Sequence, residues 1–244
     1  MSLAFFSCIV LCVQVAYASP NDNIALHGIV NRSYAVIAID TCRDAVRLLD
    51  DIQLASGQRV VLYQAFGYHR QPVWTSVDTS EGGWIYLTSS LPSTLDGTLA
   101  VQLITVQRAI SARTSDTIRC IAFDGLRGGV IAIECTDTLY VNNVIEASRC
   151  GFRGGLPGAA RADKAGGDSV MHWTLGQNGE GIERLAARKR TDKTVLTQGG
   201  GRGGARNGGG GGGGNVADGG AGGWQCSAFT GAYVGGASGR HLIL

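Results

Sequence analysis

A glycine tract near the C-terminus, Gly199–Gly223, constrains the fold more than any other part of this sequence. Sixteen of its 25 residues are glycine. Glycine has no side chain to bury and loses more backbone entropy on ordering than any other residue, so no conventional core forms there. The tract is either disordered or ordered by a device that needs glycine, such as packed polyproline-II-type helices with hydrogen bonds between neighbouring backbones. We therefore predict a polyglycine-II-type or irregular region over residues 199–244.

The N-terminus resembles a secretory leader. Leu3–Val15 is an apolar run too short to span a bilayer, and the small-x-small sequence Ala16-Tyr17-Ala18 follows it. We predict that residues 1–18 form a signal peptide and that the protein is secreted, extracellular or on the cell surface. The alternative is a buried N-terminal strand. No later stretch contains 18 consecutive apolar residues, so stable membrane insertion is not expected.

Five cysteines follow residue 18, and in an oxidising compartment they predict two disulfides and one spare thiol with the pairing left open. They are Cys42, Cys120, Cys135, Cys150 and Cys226. The three in the middle are separated by 15 residues each time, which would align them in a ladder if successive strands stack as solenoid rungs. Coincidence is the alternative. Asn31-Arg32-Ser33 is a sequon that predicts glycosylation of Asn31 in a eukaryotic host.

Hydrophobic patterning predicts an all-β fold with one short helix. Ser33–Asp40 has the β-branched content of a strand, and Cys42–Leu54 carries apolar residues at three-residue spacing, which indicates an amphipathic helix. From Arg59 onward, short apolar runs alternate with Gly, Pro and Asp, as in a short-strand sandwich or solenoid. We therefore predict an N-terminal strand and helix over residues 19–57 and a β-rich module over residues 58–150.

Residues 151–198 form a junction of different composition. Glycine becomes more frequent, and from Gly151 to the C-terminus there are eleven Lys/Arg against six Asp/Glu. This basic balance favours anionic surfaces such as acidic polysaccharide, although arginines that solvate a glycine tract are the simpler explanation. In the sequence GFRGG we expect Phe152 to act as a plug and Arg153 to bond glycine carbonyls. The glycine-rich sequence is still under way at Leu244, which suggests a longer protein.

Motifs for catalysis, metal binding and cofactor binding are not found in the sequence. There is no P-loop and no HExxH, and the four histidines are dispersed. Gly167-Asp168-Ser169 lacks the GxSxG context of a nucleophile elbow. Arg-Gly-Gly occurs at Arg127, Arg153 and Arg202, but sparse arginines and the leader argue against nucleic-acid binding. We predict no enzyme activity, cofactor or metal.

The order of three glycine-containing motifs resembles that of a known group of proteins. Asp124–Gly155 passes from a Gly-Gly turn through short strands into GFRGG, Gly179–Ile182 reads GEGI, and the glycine tract follows. This order, over residues 58–225, resembles secreted glycine-rich surface and adhesin-like proteins. It is more distantly similar to the glycine-rich extracellular region of metazoan receptor tyrosine kinases. The resemblance implies extracellular adhesion or ligand recognition without catalysis.

These observations predict a secreted, non-enzymatic surface or matrix protein that acts in adhesion or extracellular ligand binding. The expected partners are cell-surface or matrix polysaccharide or protein, and self-association is compatible with the sequence. A receptor-like ligand-binding ectodomain is the alternative, ahead of a secreted hydrolase or an RGG-type nucleic-acid binder. The candidate surface contacts in the glycine-rich region are Arg202, Arg206, Asn207, Asn215, Trp224 and Tyr233.

Overall fold

The computed structural model describes residues 9–12, 21–67, 71–154, 178–182 and 199–200 of the chain. The chain forms two compact units, Met1–Gly151 and Phe152–Leu244. Regular secondary structure in the described residues consists of β-strands alone, which confirms the all-β prediction at that level. Within the same residues, no helix has the length and apolar content needed to cross a bilayer.

Twelve strands are described, all in the first unit. In chain order they are β1 Ile9–Cys12, β2 Asn21–Ile29, β3 Ser33–Asp40, β4 Ala45–Leu48, β5 Arg59–Gln64, β6 Val73–Glu81, β7 Trp84–Leu87, β8 Val101–Thr105, β9 Gln107–Arg119, β10 Val130–Cys135, β11 Leu139–Tyr140 and β12 Ile145–Glu146.

Six of these strands close into a barrel in the order β3-β4-β7-β6-β5-β8. All neighbouring strands in the barrel are antiparallel. Strands β5, β6 and β7 follow one another as hairpins and β8 returns beside β5, which is a Greek-key arrangement. Aliphatic side chains fill the interior, each contributing about 1.5–3 kcal/mol when fully buried. The buried core residues are Val36, Val46, Leu48, Val60, Leu62, Val77, Ile85, Leu87, Leu91, Val101 and Leu103.

The predicted helix at Cys42–Leu54 is wrong. Residues 41–44 form a turn, β4 follows, and the chain from residue 49 to residue 58 has no helix or strand. Val46 and Leu48 are buried while Leu49 is 54% exposed. The buried side chains therefore follow the two-residue spacing of a strand, not the three-residue spacing that predicted a helix. An isolated helix of this length is marginal in water, whereas β4 gains partners on both sides from β3 and β7.

The remaining strands form a parallel stack around β9. Strand β2 pairs with one edge of β9, and β10, β11 and β12 pair in succession along the other edge. The partners on that second edge lie 26 or 27 residues apart in sequence, as in Gln107 with Ile133 and Ile118 with Ile145. Parallel stacking at a near-constant offset is typical of solenoids. Since β2 and β9 are neighbours, the barrel of residues 33–105 is inserted between two adjacent strands of the stack.

The 15-residue spacing of three cysteines does not coincide with this structural repeat. Cys135 lies opposite Ala109, and Cys120 follows Arg119, whose partner is Glu146. The cysteines therefore do not occupy equivalent positions in the stack. Of the two interpretations of this spacing, the ladder is not formed, because the offset between paired strands is nearly twice as long.

Strand β1 lies within the segment that the sequence predicts to be a leader. Its residues pair in parallel with β10, from Ile9 opposite Val130 to Cys12 opposite Ile133. This pairing corresponds to the alternative in which the N-terminal segment is a strand. Removal of residues 1–18 stays a prediction, and it would leave that edge of β10 without β1.

Two buried polar arrangements join the barrel to the stack. Gln102 of β8 donates from Nε2 to the carbonyl of Gly128 at 3.0 Å and accepts the Gly128 N–H at 2.7 Å. Glu134 of β10 is fully buried, and its carboxylate lies 2.6 Å from Nε of Arg59 and 3.3 Å from Nε of Arg108. Because β5, β9 and β10 each supply one of these charges, the ion pairs fix the barrel against the stack.

The expected disulfide support is not found among the described cysteines. No disulfide joins Cys42, Cys120, Cys135 and Cys150 to one another. Cys42 is exposed, and the thiol of Cys150 donates to the carbonyl of Cys120 at 3.4 Å. Aliphatic cores and buried polar contacts hold these strands together instead. The fifth cysteine, Cys226, lies outside the described residues.

Candidate ligand-binding site

A groove of about 980 Å³ lies where the barrel meets the parallel stack. Its volume is at the upper end of the range of about 300–1,000 Å³ typical of small-ligand sites. Three segments form most of its wall: the connection from β2 to β3, the loop before β5, and the connection from β8 to β9. The lining residues are Ile29, Val30, Asn31, Arg32, Tyr34, Ile52, Gln53, Leu54, Gln58, Thr105, Gln107 and Ile121.

Asn31 fixes the first of the three wall segments, the connection from β2 to β3. It is 5% exposed, and its Nδ2 donates to the carbonyls of Thr105 at 2.6 Å and Ala132 at 2.7 Å. Its Oδ1 accepts the N–H of Ala132 at 2.8 Å. A glycan would replace one of the two Nδ2 hydrogens and so remove at least one of these donated bonds, which disfavours glycosylation of the folded protein; modification of Asn31 stays a prediction.

Arg32 follows directly and combines a fixed backbone with an exposed side chain. Its N–H donates to Oγ1 of Thr105 at 2.9 Å, and its carbonyl accepts the N–H of Thr105 at 2.9 Å. The residue is exposed, and its guanidinium makes no ion pair with another described residue. The β2–β3 connection therefore presents a positive charge from a defined position at the groove.

The loop of the second wall is anchored at both ends. At its start, Asp50 forms an ion pair with Arg127 from the turn before β10. At its end, the carbonyl of Gln58 accepts the N–H of Val77 at 2.9 Å. Between these anchors, Ile52–Leu54 line the groove. The loop thus has no regular secondary structure but is held to the rest of the unit.

Amide, aromatic and aliphatic groups dominate the chemistry of the groove. Arg32 is the one charged side chain among the described lining residues, and no Asp or Glu is among them. Four side chains carry amides, and Tyr34 adds a half-buried aromatic ring. Asn31 and Gln107 already donate to backbone carbonyls, so Gln53 and Gln58 are the amides that remain for a ligand, each with two donors and one acceptor oxygen. The site is therefore suited to a polar ligand with apolar faces, and it favours negative over positive charge.

The groove differs from the site that the sequence predicts. All six candidate surface contacts, Arg202, Arg206, Asn207, Asn215, Trp224 and Tyr233, lie outside the described residues. No group of three or more His, Cys, Asp or Glu side chains that could hold a metal ion occurs in the described ranges. Arg32 has no motif in the sequence beyond its place in the middle of the sequon, so the sequence does not predict it as a site residue.

The predicted junction residues lie in the second unit. Phe152 is half-buried. The Arg153 guanidinium donates to the Glu180 carboxylate, with Nη2 2.6 Å from Oε1, and the backbone N–H of Glu180 donates to the carbonyl of Arg153 at 2.9 Å. That Arg153 also bonds glycine carbonyls stays a prediction; the ion pair with Glu180 is the contact that the described residues show. The N–H of Gly179 donates to the carbonyl of Gly200 at 3.0 Å, so GFRGG, GEGI and the start of the glycine tract meet.

No protein-family model, no curated protein and no solved structure matches this chain. The assignment of a function therefore depends on the geometry and chemistry of the groove together with the sequence.

Proposed function

We propose that this protein is a secreted, non-enzymatic surface or matrix protein that acts in adhesion or extracellular ligand binding. The observation that carries the proposal is the groove at the junction of the barrel and the stack. Concave, partly apolar sites with a few positioned polar groups are typical of ligand binding. Asn31 and Thr105 fix the backbone around Arg32, so little ordering entropy is lost when a ligand contacts this wall.

The sequence supports the extracellular part of the proposal. The leader-like residues 1–18 would direct the chain out of the cell, and the glycine-rich residues 199–244 would display Arg, Asn, Trp and Tyr to a surface. The proposed partners are polysaccharide or protein of the cell surface or matrix. In this account the groove supplies a defined ligand site, and the glycine-rich region supplies a second, less specific contact surface.

Two measurements on the expressed full chain test the proposal. Mass spectrometry of the protein recovered from the medium should find a mature N-terminus close to residue 19. The purified protein should bind immobilised cell-surface or matrix preparations, and a broad glycosidase and esterase screen should show no turnover. Retention in the cytosol with the leader uncut would contradict secretion, and turnover abolished by Ser169→Ala would contradict the non-enzymatic assignment.

The receptor-like alternative makes a different prediction in the same binding assay. A ligand-binding ectodomain should show one saturable protein partner, and protease treatment of the immobilised preparation should abolish binding. An adhesion protein that contacts polysaccharide should retain binding after protease treatment and lose it after treatment with glycosidases.

A further inference from the structure

The charges and side-chain types of the groove indicate a narrower class of ligand than the polysaccharide or protein partners proposed above. We infer that the groove binds an acidic oligosaccharide, with Arg32 contacting a carboxylate of the sugar chain. This inference rests on the proposed function and deepens it. It requires three features that the groove combines: a positive charge without a described ion-pair partner, amide groups that bond hydroxyls, and aliphatic and aromatic side chains that cover the apolar faces of sugar rings.

Charge complementarity comes from Arg32. Its guanidinium presents donors in a planar fork that matches a carboxylate in a bidentate manner. No Asp or Glu among the described lining residues competes for it. The hydrogen bonds of its backbone with Thr105 hold the residue at the groove without using the guanidinium. A carboxylate-bearing ligand therefore gains a charge-assisted contact that a neutral analogue lacks.

The amide side chains extend this contact to hydroxyl groups. Gln53 is exposed in the loop before β5, and Gln58 is half-buried where that loop ends. An amide both donates and accepts, as neighbouring sugar hydroxyls also do. Leu54 of the same loop and Tyr34 of β3 also line the groove and add apolar surface. Such alternation of polar and apolar surface fits a pyranose ring better than it fits a purely ionic ligand.

The closed barrel disfavours a peptide as the occupant. An extended peptide usually binds by adding a strand to a free sheet edge. The barrel strands that line the groove have no free edge, because β3 pairs with β4 and β8, and β8 pairs with β3 and β5. On the barrel side of the groove, recognition therefore uses side chains rather than a backbone ladder, and this condition favours the saccharide.

Calorimetric titration of the purified full chain with three probes tests the inference. The probes are tetragalacturonic acid, its methyl ester, and an acidic peptide of four glutamates. We expect the acid to bind about tenfold more tightly than the ester, since one charge-assisted hydrogen bond contributes about 1.4 kcal/mol or more and that energy equals a factor of ten. The peptide should bind more weakly than the acid.

Variants assign the contacts. Arg32→Ala should reduce the affinity for the acid about tenfold, to the level of the ester, and leave the affinity for the ester unchanged. Gln53→Ala should weaken acid and ester by the same factor, because it removes a hydroxyl contact. Arg47→Ala is the matched control: Arg47 is an exposed arginine of β4 outside the groove lining, and its loss should change neither affinity.

Failure of this inference is distinguishable from failure of the proposed function. Equal affinity for acid and ester, an Arg32→Ala variant that binds the acid normally, or tighter binding of the peptide would overturn the acidic saccharide as ligand. Absence of binding by all three probes would overturn it as well. The proposed function would still stand in each case if the secreted protein bound surface preparations, and it would fall if that binding were also absent.

Discussion

Gly128 occupies a backbone conformation and a space that only glycine fits. Its φ is +98°, and a Cβ built on it would lie 2.4 Å from the carbonyl oxygen of Ala122. Gly128→Ala must therefore adopt a left-handed conformation, which costs about 1–2 kcal/mol, and also displace backbone. We expect a loss of at least about 2 kcal/mol in the free energy of unfolding, measured by chemical denaturation.

Gly97→Ala is the matched control for this prediction. A Cβ at Gly97 would meet only side-chain atoms of Ile39 at 3.8 Å, which is an ordinary contact, and the backbone there is not left-handed. Its substitution should change the free energy of unfolding by less than about 1 kcal/mol. Equal effects of the two substitutions would contradict the described turn at Gly128 and Gly129.

Asp40 gives the first unit a specific dependence on pH. The side chain of Arg43, which donates to its carboxylate, is the main cause that lowers the pKa of Asp40 below its usual 3.8, and the N–H of Arg43 adds to the effect. A lowered pKa means that the unfolded state binds more protons as the pH falls. The stabilisation by ionised Asp40 is therefore complete above about pH 4 and is lost as the pH falls through the lowered value.

Comparison with Asp40→Asn isolates this charge. The amide oxygen of Asn can still accept the turn N–H groups, whereas the ion pair with Arg43 is removed. We expect the wild-type protein to be more stable than the variant at pH 6 and the difference to close at acidic pH below 3.8. Chemical denaturation across this range measures the difference. A gap that widens on acidification would contradict the ion pair.

At the scale of the elements, Glu134 carries the contact between barrel and stack. Its carboxylate is fully buried between Arg59 and Arg108, which are 17% and 21% exposed. The Arg59 guanidinium also lies 5.9 Å from the centroid of the Trp74 ring. Glu134→Gln leaves both arginines without their countercharge, and breaking a buried pair in this way typically costs about 3–5 kcal/mol.

Denaturation of Glu134→Gln beside Glu146→Gln measures this cost. Glu146 pairs with Arg119 in the same stack, but its side chain is 43% exposed, so we expect a loss of less than about 1 kcal/mol. A similarly small effect of Glu134→Gln would show that the buried charges do not hold the two parts together.

Strand content was predictable from the sequence, and the arrangement of the strands was not. Local alternation and turn residues are sufficient to identify a strand such as β7, whose Ile85 and Leu87 are buried in turn. Strand β4 was missed because its pairing with β3 and β7 overrides a helical spacing. The insertion of the barrel between β2 and β9 depends on pairs such as Asn21 with Ala109, whose long sequence separation leaves no local pattern.

The candidate site was less predictable than the fold for the same reason. Arg32, Gln58 and Gln107 are ordinary polar residues in separate segments, and each has a solvated position as its simplest explanation. Only the closure of the barrel and the buried hydrogen bonds of Asn31 bring these segments to one groove. A site built on side chains rather than on a motif has no signature at fixed spacing.

At the scale of the whole molecule, the first unit carries the groove and the second unit is basic and glycine-rich. The groove would give chemical specificity, and the glycine-rich residues 199–244 would add contact with a surface. Residues 1–18 would bring both outside the cell. Ligand contacts in the groove and contacts in the glycine-rich region lie in different segments of the chain, so one experiment can distinguish them.

Amide hydrogen exchange of the full chain, with and without tetragalacturonic acid, shows which segments contact the ligand. We expect slower exchange on binding in residues 29–34, 52–58, 105–107 and 121, with no change in β7. Such protection would locate the ligand in the groove. Protection confined to residues 199–244, or no change anywhere in the chain, would contradict the claim that the groove is the ligand site.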